Sequence, residues 1–190
     1  MFFSNKQNRM TMFGMFILFG MFVACSKRMD THLEQLTRDL YGARIEIPND
    51  ISCIYGDLLD SSEYVFLVYL DQQTCTECTV GHLPLWEYMI KQCDKYSTSV
   101  KVDIVIEAQE LENEILVKIK ELNFPKRVFI DTNQKFRSEN QKFADYPLTH
   151  IVLLDKERRV IVIGDPTRRV EINNLVIKKF ESDFNSKFES

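Results

Sequence analysis

Long basic stretches, internal repeats and low-complexity tracts are all absent from this sequence of 190 residues. Its 24 Lys and Arg residues are outnumbered by 28 Asp and Glu residues, which gives a formal net charge of −4. Because nucleic-acid binding depends on contacts between basic side chains and phosphates, we expect no nucleic-acid partner. A hydrophobic content of 45% that includes 14 Phe is enough for a real core, and the length favours one globular domain.

An apolar run of the roughly 20 residues that a membrane-spanning helix needs is also absent. The apolar run at 10–24 has 15 residues and follows Lys6 and Arg9, a pattern that is typical of a signal peptide. It ends in Phe22-Val23-Ala24-Cys25, which resembles the lipobox of bacterial lipoproteins. The resemblance implies a signal peptide over residues 1–24 and a lipid on Cys25 that anchors the chain to a membrane. The alternative is an uncleaved membrane anchor, and both place the remainder outside the cytoplasmic membrane.

Only five cysteines are present, and Cys25 is assigned to the anchor. Cys53, Cys75, Cys78 and Cys93 remain, in a compartment that we expect to be oxidising. The spacing of two residues favours Cys75 and Cys78 as one pair. Cys53 and Cys93 either form a second bridge or stay reduced. We favour buried free thiols, because cysteine often packs as a small hydrophobic residue.

Apolar runs alternate with amphipathic segments along the rest of the chain, which predicts parallel strands joined by helices. We expect a linker with a short helix at 25–44 and one domain at 45–190. Within them we predict strands at 43–47, 63–70, 100–107, 126–131, 149–155 and 159–164, and helices at 76–96, 110–122 and 170–189. Pro84 is expected to interrupt the first of these helices. The last two strands are close enough in sequence to pair as an antiparallel hairpin, so the predicted sheet is mixed.

Cys75 and Cys78 stand between a buried strand and the start of a helix. The unpaired N–H groups and the dipole at a helix start stabilise a thiolate, and the thiolate is the nucleophile in disulfide exchange. We therefore predict that Cys75 is the attacking thiol and Cys78 the resolving thiol. The carboxylate of Glu77, between them, opposes the thiolate form of Cys75, which favours a reductant over a strong oxidant.

This arrangement, over about residues 63–184, resembles the thioredoxin-like superfamily. The particular likeness is to membrane-anchored reductases related to cytochrome c maturation and to redoxin-like lipoproteins of Bacteroides-type bacteria. It rests on the strand, the Cys-x-x-Cys motif that opens a helix, the pair Tyr146-Pro147, and the hairpin and helix that follow.

The resemblance implies a three-layer α/β/α sandwich with a mixed sheet. It also implies an extracytoplasmic thiol–disulfide oxidoreductase that faces the periplasm of a Gram-negative bacterium. Such a protein acts on a protein disulfide or dithiol and needs no cofactor beyond its own redox-active disulfide. Pro147 would be a cis-proline that faces the dithiol, and Tyr146, Thr76 and Glu77 would contact the substrate.

Two positions that bear on proton transfer depart from the pattern of that superfamily. Tyr69 stands six residues before Cys75, where thioredoxin has a buried aspartate. Gly81 stands where the related reductases have a glutamate. The residue that accepts the thiol proton is therefore unassigned, and the candidates are Glu77, Asp71 and His82.

Two other interpretations of the cysteine pair stay open. The first is a structural disulfide in a catalytically inactive domain that binds a partner protein. The second is a metal site formed by Cys75, Cys78 and His82, although a structural zinc site normally has four protein ligands, so we expect no metal. Haem attachment is excluded because Thr79, and not a histidine, follows Cys78.

Overall fold

The computed structural model describes residues 34–56, 62–73, 80–96, 99–110, 113–146 and 150–188. The chain forms two compact units, Met1–Asp39 and Leu40–Ser190. In the first unit the described residues, 34–39, are helical, and Glu34 pairs with Arg38 one turn later. The second unit holds all the strands given below. No helix within the described ranges has the length and apolarity of a membrane span.

The second unit is built on a six-stranded mixed sheet whose strand order is β1-β4-β3-β2-β5-β6. Strand β2 pairs in parallel with β3, and β3 pairs in parallel with β4, while the other three pairings are antiparallel. The strands are β1 (Ser52–Tyr55), β2 (Tyr64–Leu70), β3 (Val100–Ile106), β4 (Lys126–Ile130), β5 (Ile151–Leu154) and β6 (Val160–Ile163). Every residue of β2 and β3 is buried. The continuous apolar run of β2 predicts this for a strand covered on both faces, whereas β3 also buries the charged residues Lys101 and Asp103.

Five helices flank these strands in the described part of the second unit. They are α1 (Pro84–Asp94), α2 (Asn113–Glu121), α3 (Lys135–Glu139), α4 (Gln141–Ala144) and α5 (Val170–Phe188). The predicted helices at 110–122 and 170–189 and the hairpin of β5 and β6 are confirmed within a few residues at their ends. The short helices α3 and α4 were not predicted.

One face of the sheet carries α1, α2 and α5. Alternate residues of a strand point to opposite faces, and Tyr64, Phe66, Val68 and Leu70 of β2 share one core with these helices. The helices contribute Trp86, Met89, Ile90, Cys93, Ile115, Ile119, Val176 and Phe180 to that core. Leu175, which the helical pattern assigns to the buried face of α5, is exposed instead.

The opposite face carries α3, α4 and the segment before β1. Phe136 and Phe143 from the two short helices contact the ring of Tyr69, which points to this face. Asp131, at the end of β4, accepts hydrogen bonds from the backbone N–H groups of Lys135 and Phe136 and so holds the start of α3. Helices on both faces of a mixed sheet make the three-layer α/β/α sandwich that the sequence predicts.

The predicted first strand at 43–47 is wrong. That segment forms a single bridge, between Arg44 and Arg159, and the strand that pairs with β4 is Ser52–Tyr55. Ile45 is nevertheless buried, so the apolar residue at this position indicates burial correctly although the segment is not a strand. Gly56 ends β1 with a positive φ of 98°, and a Cβ there would collide with the carbonyl oxygen of Lys126.

Cys53 and Cys93 are free thiols, as predicted. Cys93 is fully buried in α1, and burial raises the pKa of its thiol to about 12. A thiol with that pKa carries almost no thiolate near neutral pH, so Cys93 is a packing residue. Cys53 is half-buried on β1, where its Sγ lies 3.4 Å from the carbonyl oxygen of Tyr55.

Candidate functional site

Most of the predicted site residues lie outside the described residues. These are Cys25, Cys75, Thr76, Glu77, Cys78 and Pro147. Tyr146 is described, and it lies after α4 with 38% of its surface exposed. The dithiol, the cis-proline and the lipid therefore remain predictions, and the described residues that flank the dithiol in sequence define the candidate site.

The strand before the dithiol and the helix after it are both described. Strand β2 ends at Leu70, in the middle of the sheet, and is followed by the buried residue Asp71. The chain is helical again at 80–82, turns at Leu83 and enters α1 at Pro84. The proline thus interrupts the helix, as predicted, because its ring has no N–H to donate to the preceding turn.

A cluster of charged side chains lies at this end of β2. The guanidinium of Arg137, from α3, contacts three carboxylates: Nη2 is 3.3 Å from Asp71, Nε is 3.2 Å from Glu107, and Nη1 is 3.3 Å from Asp145. Asp71 and Glu107 are almost fully buried, whereas Asp145 is 43% exposed. Three carboxylates around one guanidinium carry more negative than positive charge when all are ionised.

The hydroxyl of Tyr69 donates a hydrogen bond to the carboxylate of Glu107 within this cluster. Burial, and then the neighbouring carboxylate, raises the pKa of Tyr69 above its ordinary value. The side chain therefore stays protonated and serves as a donor. Tyr69 therefore places a neutral phenol in the cluster, and the buried carboxylate that it binds belongs to Glu107, which directly follows the neighbouring strand β3.

His150 closes the cluster on the side of β5. Its ring packs edge-on against Tyr69, with ring centroids 4.8 Å apart, and its Nε2 lies 2.9 Å from the carbonyl oxygen of Ala144. A neutral imidazole that donates to this carbonyl satisfies both groups. Burial lowers the pKa of His150 below its ordinary value, so the folded protein holds the ring neutral.

This burial predicts a loss of stability in mild acid. The unfolded chain takes up a proton at His150 near pH 6.5, while the folded chain resists it, so the free energy of unfolding falls as the pH drops below about 6.5. The loss approaches about 1.4 kcal/mol per pH unit until the folded form titrates. In His150→Gln we expect a flatter dependence between pH 6.5 and 5, measured by urea unfolding. The exposed His82→Gln variant serves as control, and an equal slope in all three proteins would contradict the assignment.

The structure describes two of the three candidates for the thiol-proton acceptor. Asp71 is buried and held by Arg137. His82 is exposed, and Glu77 lies outside the described residues. Among the described candidates, only Asp71 combines a buried carboxylate with a position four residues before Cys75.

Glu107 and Arg137 were missed as site residues. The signal for Glu107 was available, since it directly follows β3, and the carboxyl ends of parallel strands meet at one edge of a sheet. Arg137 carried no such signal, because the sequence around it predicts a polar loop and its position depends on how α3 packs. Among the described residues, no group of three or more His, Cys, Asp or Glu side chains is arranged to hold a metal ion.

Comparison with known proteins identifies related structures at low sequence identity. A domain of a possible thiol-disulfide isomerase from Cytophaga hutchinsonii is 17% identical with a TM-score of 0.50, and the match covers 77% of this chain and 97% of that one. The thioredoxin domain of a thiol-disulfide oxidoreductase from Bacteroides vulgatus is 14% identical with a TM-score of 0.50, covering 74% and 97%.

A thioredoxin-like protein from Bacteroides caccae is 21% identical with a TM-score of 0.43, and the match covers 81% of this chain. The chain spans 56% of the length of that protein. No family model and no curated protein matches the sequence. The similarity to the proteins from Cytophaga hutchinsonii and Bacteroides vulgatus concerns the fold, and this fold is the one that the sequence predicts.

Proposed function

We propose, from the premise that this chain has a thioredoxin-like fold, that it is an extracytoplasmic thiol–disulfide oxidoreductase that reduces protein disulfides through Cys75 and Cys78. The observation on which the proposal depends is the position of the Cys-x-x-Cys motif in the sequence. Along the chain the motif lies between the central buried strand β2 and the helical residues at 80–82, and Asp71, four residues before Cys75, belongs to a buried cluster of ionisable side chains. The two solved structures with a TM-score of 0.50, both described by thiol–disulfide chemistry, support it.

The reaction is a two-electron exchange. The Cys75 thiolate attacks one sulfur of the substrate disulfide, forming a mixed disulfide and releasing one substrate thiolate. The Cys78 thiolate then attacks the Cys75 sulfur, which forms the Cys75–Cys78 disulfide and releases the second substrate thiolate. The protein loses two electrons and two thiol protons, and the substrate gains both. No organic cofactor or metal is needed, and Tyr146, Pro147, Thr76 and Glu77 are proposed to contact the substrate.

Reduction of insulin disulfides by the wild-type chain and by its cysteine variants tests this function directly.

Asp71 is proposed as the proton acceptor for the dithiol. A positioned acid or base typically contributes a factor of about 100 or more, so Asp71→Asn is expected to lower the rate of insulin reduction at pH 7 at least about tenfold. Raising the pH should restore much of the rate, because hydroxide then removes the thiol proton. The measurement is the rate of reduction as a function of pH.

Asp145→Asn is the matched control for this substitution. Asp145 contacts the same guanidinium of Arg137 but is 43% exposed, so it shares the ion pair without the buried position. We expect a nearly unchanged rate and pH profile in this variant. Equal losses in the two variants would assign the effect to Arg137, and an unchanged profile in Asp71→Asn would contradict the proposed acceptor.

The location of the protein is proposed to be the cell envelope, with a lipid on Cys25 as the membrane anchor and the domain facing the periplasm. When the gene is expressed in a Gram-negative bacterium with radioactive palmitate, we expect label on the wild-type chain and none on Cys25→Ala. The control is Cys53→Ala, which should keep the label. Undiminished labelling of Cys25→Ala would contradict the anchor.

A further inference from the structure

A cavity of about 530 Å³ lies on the face of the sheet that carries α3 and α4. Arg127 and Phe129 of β4 line it, together with Arg158 from the turn between β5 and β6. Arg127 of β4 pairs with Asp103 of β3, and Asp103 lies four residues before Glu107. Four residues of extended chain span about 13 Å. The cavity is therefore separate from the cluster at the end of β2.

Two arginines in the cavity wall are held by one buried carboxylate. Arg127 donates from Nε and Nη2 to the two oxygens of Asp103, at 2.8 and 2.5 Å, and Arg158 donates from Nη1 at 3.0 Å. The Asp103 side chain is fully buried. The two bonds from Arg127 fix the plane of its guanidinium and the bond from Arg158 holds one end of the second guanidinium, so a bound anion would have less to order.

The backbone at Arg158 is strained. Its φ is +63°, in the left-handed region that residues other than glycine seldom adopt. The turn is maintained by the N–H of Arg158, which donates to Asp155 O, and by its carbonyl, which accepts from Ile45 N. Strain of this kind persists where the surrounding structure demands it, and it is concentrated at functional positions. Here it directs an arginine back over the sheet to the cavity.

One part of the remaining cavity wall is apolar, and the rest of it is polar. Pro48 and Ile51, from the segment before β1, face the same space as Phe129. Asn140 of the adjoining helical region binds both backbone groups of Glu46, which fixes this segment against the sheet. The cavity thus has a cationic side and an apolar side, each held by bonds within the protein.

We infer that this cavity binds a small organic anion, a carboxylate on an apolar or aromatic body. The volume lies within the range of pockets for small molecules. Guanidinium groups match the planar geometry of a carboxylate. Among the described residues, Arg44, Arg127 and Arg158 bring three positive charges, against the carboxylates of Glu46 and Asp103. This binding site does not depend on the proposed redox function.

Cys53 lines the same cavity and provides a reporter for its occupancy. The probe is phenylacetate, and its uncharged isostere phenylacetamide is the comparison. The rate at which iodoacetamide alkylates Cys53 on the reduced full chain is followed by peptide mass spectrometry, which separates Cys53 from the other cysteines. Because only the empty protein reacts, phenylacetate at ten times its Kd should slow alkylation about tenfold.

Arg158→Gln is expected to weaken the protection by raising the Kd for phenylacetate about tenfold or more, because it removes a charged donor. Arg44→Gln, at an exposed position, is a second test that spares the buried network. Lys156→Gln removes one positive charge from the same turn outside the cavity and should leave the protection unchanged. Equal protection by phenylacetamide, no protection by either compound, or full protection in both arginine variants would overturn the proposal.

Discussion

Replacement of Cys75 by serine is expected to lower the rate of insulin reduction at least about a hundredfold, because a serine hydroxyl cannot replace the thiolate nucleophile. Cys78→Ser should give a different result. Its Cys75 can still attack, so a mixed disulfide with the substrate should accumulate, without turnover, and be visible on a non-reducing gel. The pair of variants therefore tests the order of the two steps as well as the existence of the reaction.

Cys53→Ser is the matched control for both cysteine variants. Cys53 is a half-buried free thiol of the same domain, on β1, far from β2 in the strand order. We expect its rate of reduction to equal that of the wild type. Equal turnover by wild type, Cys75→Ser and Cys78→Ser would eliminate the proposed enzyme. It would favour the alternative, a thioredoxin-like domain in which the cysteine pair is structural and the protein binds a partner.

Asp103→Asn is expected to destabilise the fold by about 3–5 kcal/mol, the usual cost of removing one partner from a buried ion pair. The Asp103 carboxylate is fully buried and neutralises Arg127, which is itself 7% exposed, and it also binds Arg158. Without the carboxylate, the buried guanidinium of Arg127 and the partly buried guanidinium of Arg158 lose the negative charge that they share. Urea unfolding monitored by circular dichroism measures the loss.

Glu46→Gln is the matched control for this loss. Glu46 also pairs with an arginine, Arg44, at 2.8 Å, but both side chains are more than half exposed. An exposed pair is worth less than about 1 kcal/mol, so the variant should unfold close to the wild type. Similar stabilities for the two variants would contradict the view that the Asp103 network is an essential part of the folded sheet.

The central elements of the fold were predicted from local sequence pattern. The apolar run of β2, the segments of β3 and β4 that are rich in Val and Ile, and the periodic apolar positions of α5 can each be recognised without reference to the rest of the chain. The edge strand β1 could not be predicted in this way. Residues 43–47 have a better strand pattern than Ser52–Tyr55, but the tertiary fold places Ser52–Tyr55 beside β4, where Cys53 pairs with Phe129.

The candidate site divides in the same way. The Cys-x-x-Cys motif, Tyr146-Pro147 and the lipobox-like end of the apolar run are signals of adjacent residues, and they can be found by inspection of the chain. The functional roles that they indicate remain predictions. The cluster of Tyr69, Asp71, Glu107 and Arg137 cannot be found in this way, because its members are separated by up to 68 positions and Arg137 belongs to a helix that the sequence pattern does not reveal.

The sequence by itself determined the class of fold, the central strands and the position of the cysteine pair between a strand and a helix, since hydrophobic periodicity and short motifs are properties of neighbouring residues. Only the tertiary structure decided which charged groups are buried together. Arg137 joins Asp71 to Glu107, and Asp103 joins Arg127 to Arg158, because parallel pairing of β2, β3 and β4 aligns residues that are distant in sequence. The free energy of a buried charge depends on partners that no local pattern records.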